Sequence, residues 1–142
     1  MAVRYYTEDC RLTFDHRRVV NRWIAETIAS EGRRRGEIAV IFCSDDYLLD
    51  MNRKHLNHNY YTDIITFDYD EGTVVSGDLF ISVDRVRDNA RQYGVDFRNE
   101  LYRVIIHGVL HLCGYPDKSP EEEKIMRQKE DFYLNKLPLI SK

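Results

Sequence analysis

Two histidines, a glycine and an aspartate follow one another as His107, His111, Gly114 and Asp117. Residues four apart on a helix sit one above the other, so His107 and His111 present both imidazoles on one face. Gly114 can take the left-handed conformation that ends a helix, and the reversed chain can bring Asp117 back toward the rings. Two nitrogens and a carboxylate oxygen make the three-ligand set of a zinc-type site with an open fourth position. The segment therefore reads as a site for one divalent ion in a hydrolytic enzyme. The spacing H-x-x-x-H-x-x-G-x-x-D parallels the extended zinc-protease motif, which ends in a third histidine. Those proteases place a glutamate directly after the first histidine as general base, and here Gly108 stands in its place. Glycine cannot accept a proton, which disfavours a metallopeptidase. It also slims the helix, so that another element or a substrate can approach closely. Cys113 falls off the histidine stripe and reads as a packing residue.

The elements that must hold this segment follow from the patterning. Asp96 is placed to cap a metal-binding helix over 97–113, whose buried stripe is Leu101, Val104, Ile105, Gly108 and Leu112. Glu100 lies two turns before His107 on the same face, roughly 10 Å along the axis at 1.5 Å per residue. That is too far for a ligand and fits a supporting role. Ser119-Pro120-Glu121-Glu122 opens a last helix with a capping box and an N-terminal proline, with Ile125, Met126, Phe132, Tyr133 and Leu137 as its apolar side.

Upstream, Arg4 to Leu12 reads as a first strand, and Asp15 as the N-cap of a helix through Val19, Val20, Trp23, Ile24 and Ile28 that closes at Gly32. Arg33-Arg34-Arg35 reads as a solvated helix end rather than a nucleic-acid contact. Ile38 to Cys43 is a buried strand, Ser44 caps a short helix to Met51, and Asn52 to Tyr61 is irregular. Ile64–Phe67 and Leu79–Ser82 can pair as a hairpin, and Val83 to Tyr93 forms a helix laced with internal ion pairs that ends at Gly94. The result is an α+β fold in a single domain, 1–142, with a small mixed sheet of about four strands packed with about five helices.

Composition sets the outer limits. The 142 residues suffice for one domain with its own core, and 43% hydrophobic with 32% charged residues is the balance of a soluble globular protein. No apolar run is long enough to cross a bilayer and no secretory signal precedes the domain, so the expectation is a cytoplasmic protein without membrane contact. Three widely spaced cysteines argue for reduced thiols. A net charge of −3 lacks the basic excess of a dedicated nucleic-acid binder, so any such contact must rest on a local patch.

With these residues in view, the chain resembles the bacterial YbeY family of endoribonucleases, also described as rRNA maturation factors. The resemblance rests on His107 to Tyr115, on Thr62-Asp63-Ile64-Ile65-Thr66-Phe67 and on Gly77-Asp78-Leu79-Phe80-Ile81-Ser82. It implies a zinc-like ion held by three side chains and a metal-dependent, single-strand-specific endoribonuclease. The implied task is maturation of the 16S rRNA 3′ end and ribosome quality control, with rRNA and small-subunit ribosomal proteins as partners. Two departures stand out. The family's third ligand is usually a histidine, where this chain has Asp117. The family usually has an arginine where this chain has Leu56, and Arg53, one turn earlier, is the candidate to replace it in catalysis. Lys54 and Arg103 are further candidate cations, and Thr62, Asp63 and Lys54 are candidate substrate contacts. Asp63 and Asp78 fit turn acceptors as well as cleft residues. A factor that binds rRNA without cutting it is the alternative reading, and a purely structural metal site is the third.

Overall fold

The computed structural model describes residues 3–140. Nine elements follow in the order β1 (Val3–Thr7), α1 (Arg17–Ser30), β2 (Arg34–Cys43), α2 (Asp45–Leu56), β3 (Ile64–Asp68), β4 (Val74–Ser82), α3 (Val83–Tyr93), α4 (Phe97–Leu112) and α5 (Pro120–Leu134). The sheet order is β1-β2-β4-β3. β1, β2 and β4 run parallel, and β3 returns antiparallel on β4 as the expected hairpin. This is the α+β, single-domain arrangement of four strands and five helices that the sequence predicts.

Strand alternation sorts side chains to two faces. Val40, Phe42, Leu79 and Ile81 join the main core with Trp23, Ile24 and Ile28 of α1 and with the buried length of α4. Cys43, Ile65, Phe67 and Phe80 face the other way and meet Tyr47, Leu48 and Met51 of α2. α4 is central: Leu101, Val104, Ile105, Val109 and Leu112 are all buried, and α3 and α5 cover its remaining sides. Its expected cap is present, with the Asp96 side chain accepting from Arg98 N. The capping box Ser119–Glu122 starts α5 as predicted.

Several boundaries differ from expectation. The first strand stops at Thr7 rather than Leu12. The N-cap of α1 is His16, in the left-handed region at φ 61°, with no side-chain cap, and Asp15 instead pairs with Arg98 at 3.8 Å. The second strand starts at Arg34, so the basic run is not a solvated helix end. Arg33 pairs with Asp70 at 3.0 Å and donates to the Cys113 carbonyl at 3.2 Å, bracing the end of α4. α2 continues to Leu56, so half of the segment read as irregular is helical. Ile125 and Phe132 are exposed, and the buried side of α5 is Met126, Glu130, Tyr133 and Leu134.

Candidate metal centre

α4 carries His107 and His111 one turn apart, with ring centroids 4.5 Å apart and planes near perpendicular. Gly114, at φ 107°, reverses the chain, and Tyr115 N returns to the Leu110 carbonyl at 3.1 Å. The turn delivers Asp117, whose Oδ2 lies 3.1 Å from His107 Nε2 and 3.2 Å from His111 Nε2. Ligand atoms of the three residues lie within 4.8 Å of one another.

The opposite ring nitrogens fix which atoms face inward. His107 Nδ1 is 2.6 Å from Glu130 Oε2, and His111 Nδ1 is 2.8 Å from the Tyr115 carbonyl oxygen. A carboxylate and a carbonyl only accept, so in the neutral rings, the form that binds a metal, both Nδ1 atoms carry the hydrogen and both Nε2 lone pairs point at Asp117. Three acceptors converging with no donor among them form an arrangement that a cation completes. The donor set fits a divalent metal.

The supporting groups reach well beyond the motif. Glu130 is buried and also takes Arg103 at 2.8 Å, while Asp131 holds the same guanidinium at 2.7 Å. Burial works to lower the affinity of His107 for a proton, but the Glu130 hydrogen bond and the carboxylates of Asp63 and Asp117 hold it above the ordinary histidine value. Tyr115 is anchored in turn, its hydroxyl donating to Glu31 Oε1 at 2.5 Å. Tyr133 and Lys129 also donate to Glu31. Burial pushes the Cys113 thiol up to about 11, which disfavours a ligating thiolate and supports its reading as a packing residue.

Gly108 faces the sheet. A Cβ there would lie 2.6 Å from Ile64 Cδ1 and 3.0 Å from Leu79 Cδ2, so the slim point of α4 admits the β3–β4 hairpin rather than substrate. A glutamate at this position would be driven into the core.

Two cavities meet at the cluster. One, of about 380 Å³, is lined by Asn52, Leu56, His58, Tyr60, Thr62, Lys118 and neighbouring residues together with all three candidate ligands. The other, of about 350 Å³, lies between α3, α4 and α5 and is lined by Asn89, Glu100, Arg103, Arg127 and Glu130 among others. Asp63 borders both, and burial raises its carboxyl above the ordinary value. Of the predicted site residues, His107, His111, Asp117, Thr62 and Asp63 come together. Arg53 and Lys54 line neither cavity: Arg53 donates to Asn59 and Lys54 pairs with Asp50 at 3.0 Å. Arg103 is committed to Glu130 and Asp131. Sequence reasoning missed Glu130, Glu31 and Asn52. Glu130 alone left a signal, as a carboxylate in line with Met126, Tyr133 and Leu134 on an otherwise apolar helix face.

A central helix presenting two histidines, completed by a carboxylate from the following turn, is a possible metal site of the kind that hydrolases use. Residues 3–138 match the family model described as Endoribonuclease YbeY. The chain is 51% identical over 138 residues to Endoribonuclease YbeY of Parabacteroides distasonis, covering 97% of each chain. It is 54% identical over 134 residues to that of Bacteroides thetaiotaomicron, covering 94% of this chain and 98% of the relative. A solution structure of a Thermotoga maritima protein superposes with a TM-score of 0.65 at 25% identity, over 95% of this chain and 88% of the other. The chain belongs to the YbeY endoribonuclease family.

Proposed function

We propose that this protein is a metal-dependent endoribonuclease that cuts single-stranded RNA, with ribosomal RNA as its substrate and small-subunit ribosomal proteins as its partners. The observation that carries the reading is the convergence of His107 Nε2, His111 Nε2 and Asp117 Oδ2 at the wall of an open cavity. These three side chains would hold one divalent ion, zinc by the character of the donors. Such an ion supplies Lewis-acid polarisation of a phosphodiester oxygen and acidifies water. The chain's own groups do the rest. Glu130 and the Tyr115 carbonyl fix both imidazoles, so no reorganisation is needed when substrate arrives. Asp63 borders the cavity beside His107 and would accept a proton there, and Lys118 would offer a cation for phosphate.

A non-cleaving rRNA-binding factor is the second reading. Among the described residues Lys118 is the one lysine or arginine lining the cavity that holds all three ligands, and none of them brings a guanidinium there for the transition state. Metal analysis of the purified protein, with RNA cleavage by wild type and His111→Ala, separates the readings. One ion per chain with cleavage lost in the variant is the expected result. Metal without cleavage by wild type establishes the binding factor. Chelation that unfolds the protein establishes a structural site instead.

A further inference from the structure

The wall of the cavity opposite α4 is aromatic, tied down by hydrogen bonds and exposed, and the metal cluster does not explain it. α2 ends at Asn57 in the left-handed region, at φ 55°, and the following turn is pinned from the helix. His58 N donates to the Asn52 carbonyl at 3.1 Å, and the buried Asn52 side chain donates to the Tyr60 carbonyl at 3.0 Å. Arg53 holds the next loop residue through Asn59. On this frame the Tyr60 ring stacks on the His58 ring, centroids 5.2 Å apart and planes 21° apart, with the hydroxyl 3.0 Å from His58 Nδ1. Tyr60 nevertheless remains 55% exposed. A large ring fixed in place and left wet is not core packing.

Its neighbours select a ligand. Leu56, beside the pair, is 42% exposed and offers an apolar surface where an arginine would offer charge. Aromatic rings and an aliphatic chain suit the flat face of a nucleobase. Lys118, on the same cavity, suits the phosphate. Base faces are accessible only in unpaired RNA, because duplex bases cover one another. We propose that the His58–Tyr60 pair, with Leu56 beside it, is a stacking platform for one unpaired nucleobase of the RNA strand lying across His107, His111 and Asp117. The proposal rests on the nuclease reading for its substrate. It implies tolerance of base identity, since every base has a π-face.

The test uses an unstructured oligoribonucleotide carrying 2-aminopurine, whose fluorescence is quenched by stacking. Quenching is read with chelator present, so that binding is seen without cleavage, and kinetics are read with metal. Wild type is expected to quench. Tyr60→Ala should abolish the quenching and raise KM about 5- to 150-fold, with a smaller effect on kcat. Tyr60→Phe should keep both, and an unchanged melting temperature in Tyr60→Ala rules out a folding defect. Wild type that does not quench, or Tyr60→Ala that quenches and cleaves like wild type, overturns the platform while leaving the nuclease reading standing. Quenching without cleavage of any RNA by wild type keeps the platform and overturns the nuclease instead.

Discussion

The two walls beside the histidine pair are built on opposite principles. Toward α5 the wall is buried and saturated with partners: Glu130 takes both His107 and Arg103, and Asp131 takes Arg103 again. Toward the α2–β3 loop it is open, aromatic and weakly charged, with Tyr60 more than half exposed. Groups already committed to one another cannot turn to a substrate, so the first wall orients the histidines. Groups held in place but uncovered can, which makes the second the side proposed to meet RNA. The difference teaches that the motif's function is divided between its two sides, and mutations on each should separate accordingly.

The largest effect belongs to the buried wall. Glu130→Ala leaves His107 Nδ1 without its acceptor and a mostly buried Arg103 with one partner instead of two. Expected are a 10- to 100-fold loss of metal affinity and a stability loss on the order of 3 kcal/mol, read by metal titration and urea denaturation. Tyr60→Ala should show neither. Equal destabilisation by the two substitutions would erase the distinction between the walls.

Asp117→His sharpens what the cluster itself contributes. A divalent ion held by two neutral histidines and a carboxylate carries a net charge near +1, against +2 with three histidines. The variant should keep its metal and shift the rising limb of the pH–rate profile to lower pH. An unshifted limb means that ligand charge does not set the acidity of the site.

Glu31 supports the cluster at one remove, through Tyr115. Burial works to raise its carboxyl, but hydrogen bonds from Tyr115, Tyr133 and Lys129 outweigh it and hold the group below the ordinary glutamate value. A carboxyl with a depressed folded-state value stabilises the fold above its unfolded value, near 4.5, and that stabilisation is lost as pH falls through the folded value. Glu31→Gln should therefore cost about 1–2 kcal/mol at pH 7 and progressively less in acid. A difference from wild type that stays constant from pH 7 to pH 3 excludes the ionised carboxylate as the cause.

How much of this was legible in the sequence follows from how local each feature is. His107, His111, Gly114 and Asp117 lie within three turns of chain, so helical spacing and one glycine were enough to bring them together. The Ser119–Glu122 capping box and the β3–β4 hairpin are equally local. Glu130 and Glu31 reach the site across 23 and 84 residues respectively, through α5 docking on α4 and Tyr115 docking on α1. No periodicity encodes such a meeting. Arg33 misled for the same reason: its partners, Asp70 and the Cys113 carbonyl, are distant in the chain. Gly108 was read correctly as a point of close approach, but only the packed sheet shows that Ile64 and Leu79 occupy it.

The smallest predicted effect tests where the open wall ends. Lys118 lines the cavity with the three candidate ligands, while Lys54 lies outside both cavities and pairs with Asp50 on the surface. Each phosphate neutralised on a single strand contributes about 0.7 to the slope of log affinity against log salt. Lys118→Ala should lower that slope by about this amount for an unstructured oligoribonucleotide, and Lys54→Ala should leave it unchanged. Neither should alter the melting temperature, since neither side chain is buried. If Lys54→Ala lowers the slope as much as Lys118→Ala, the strand continues past the platform along the last turn of α2. The open wall would then extend beyond the cavity, while the separation of an orienting side from a recognising side would stand.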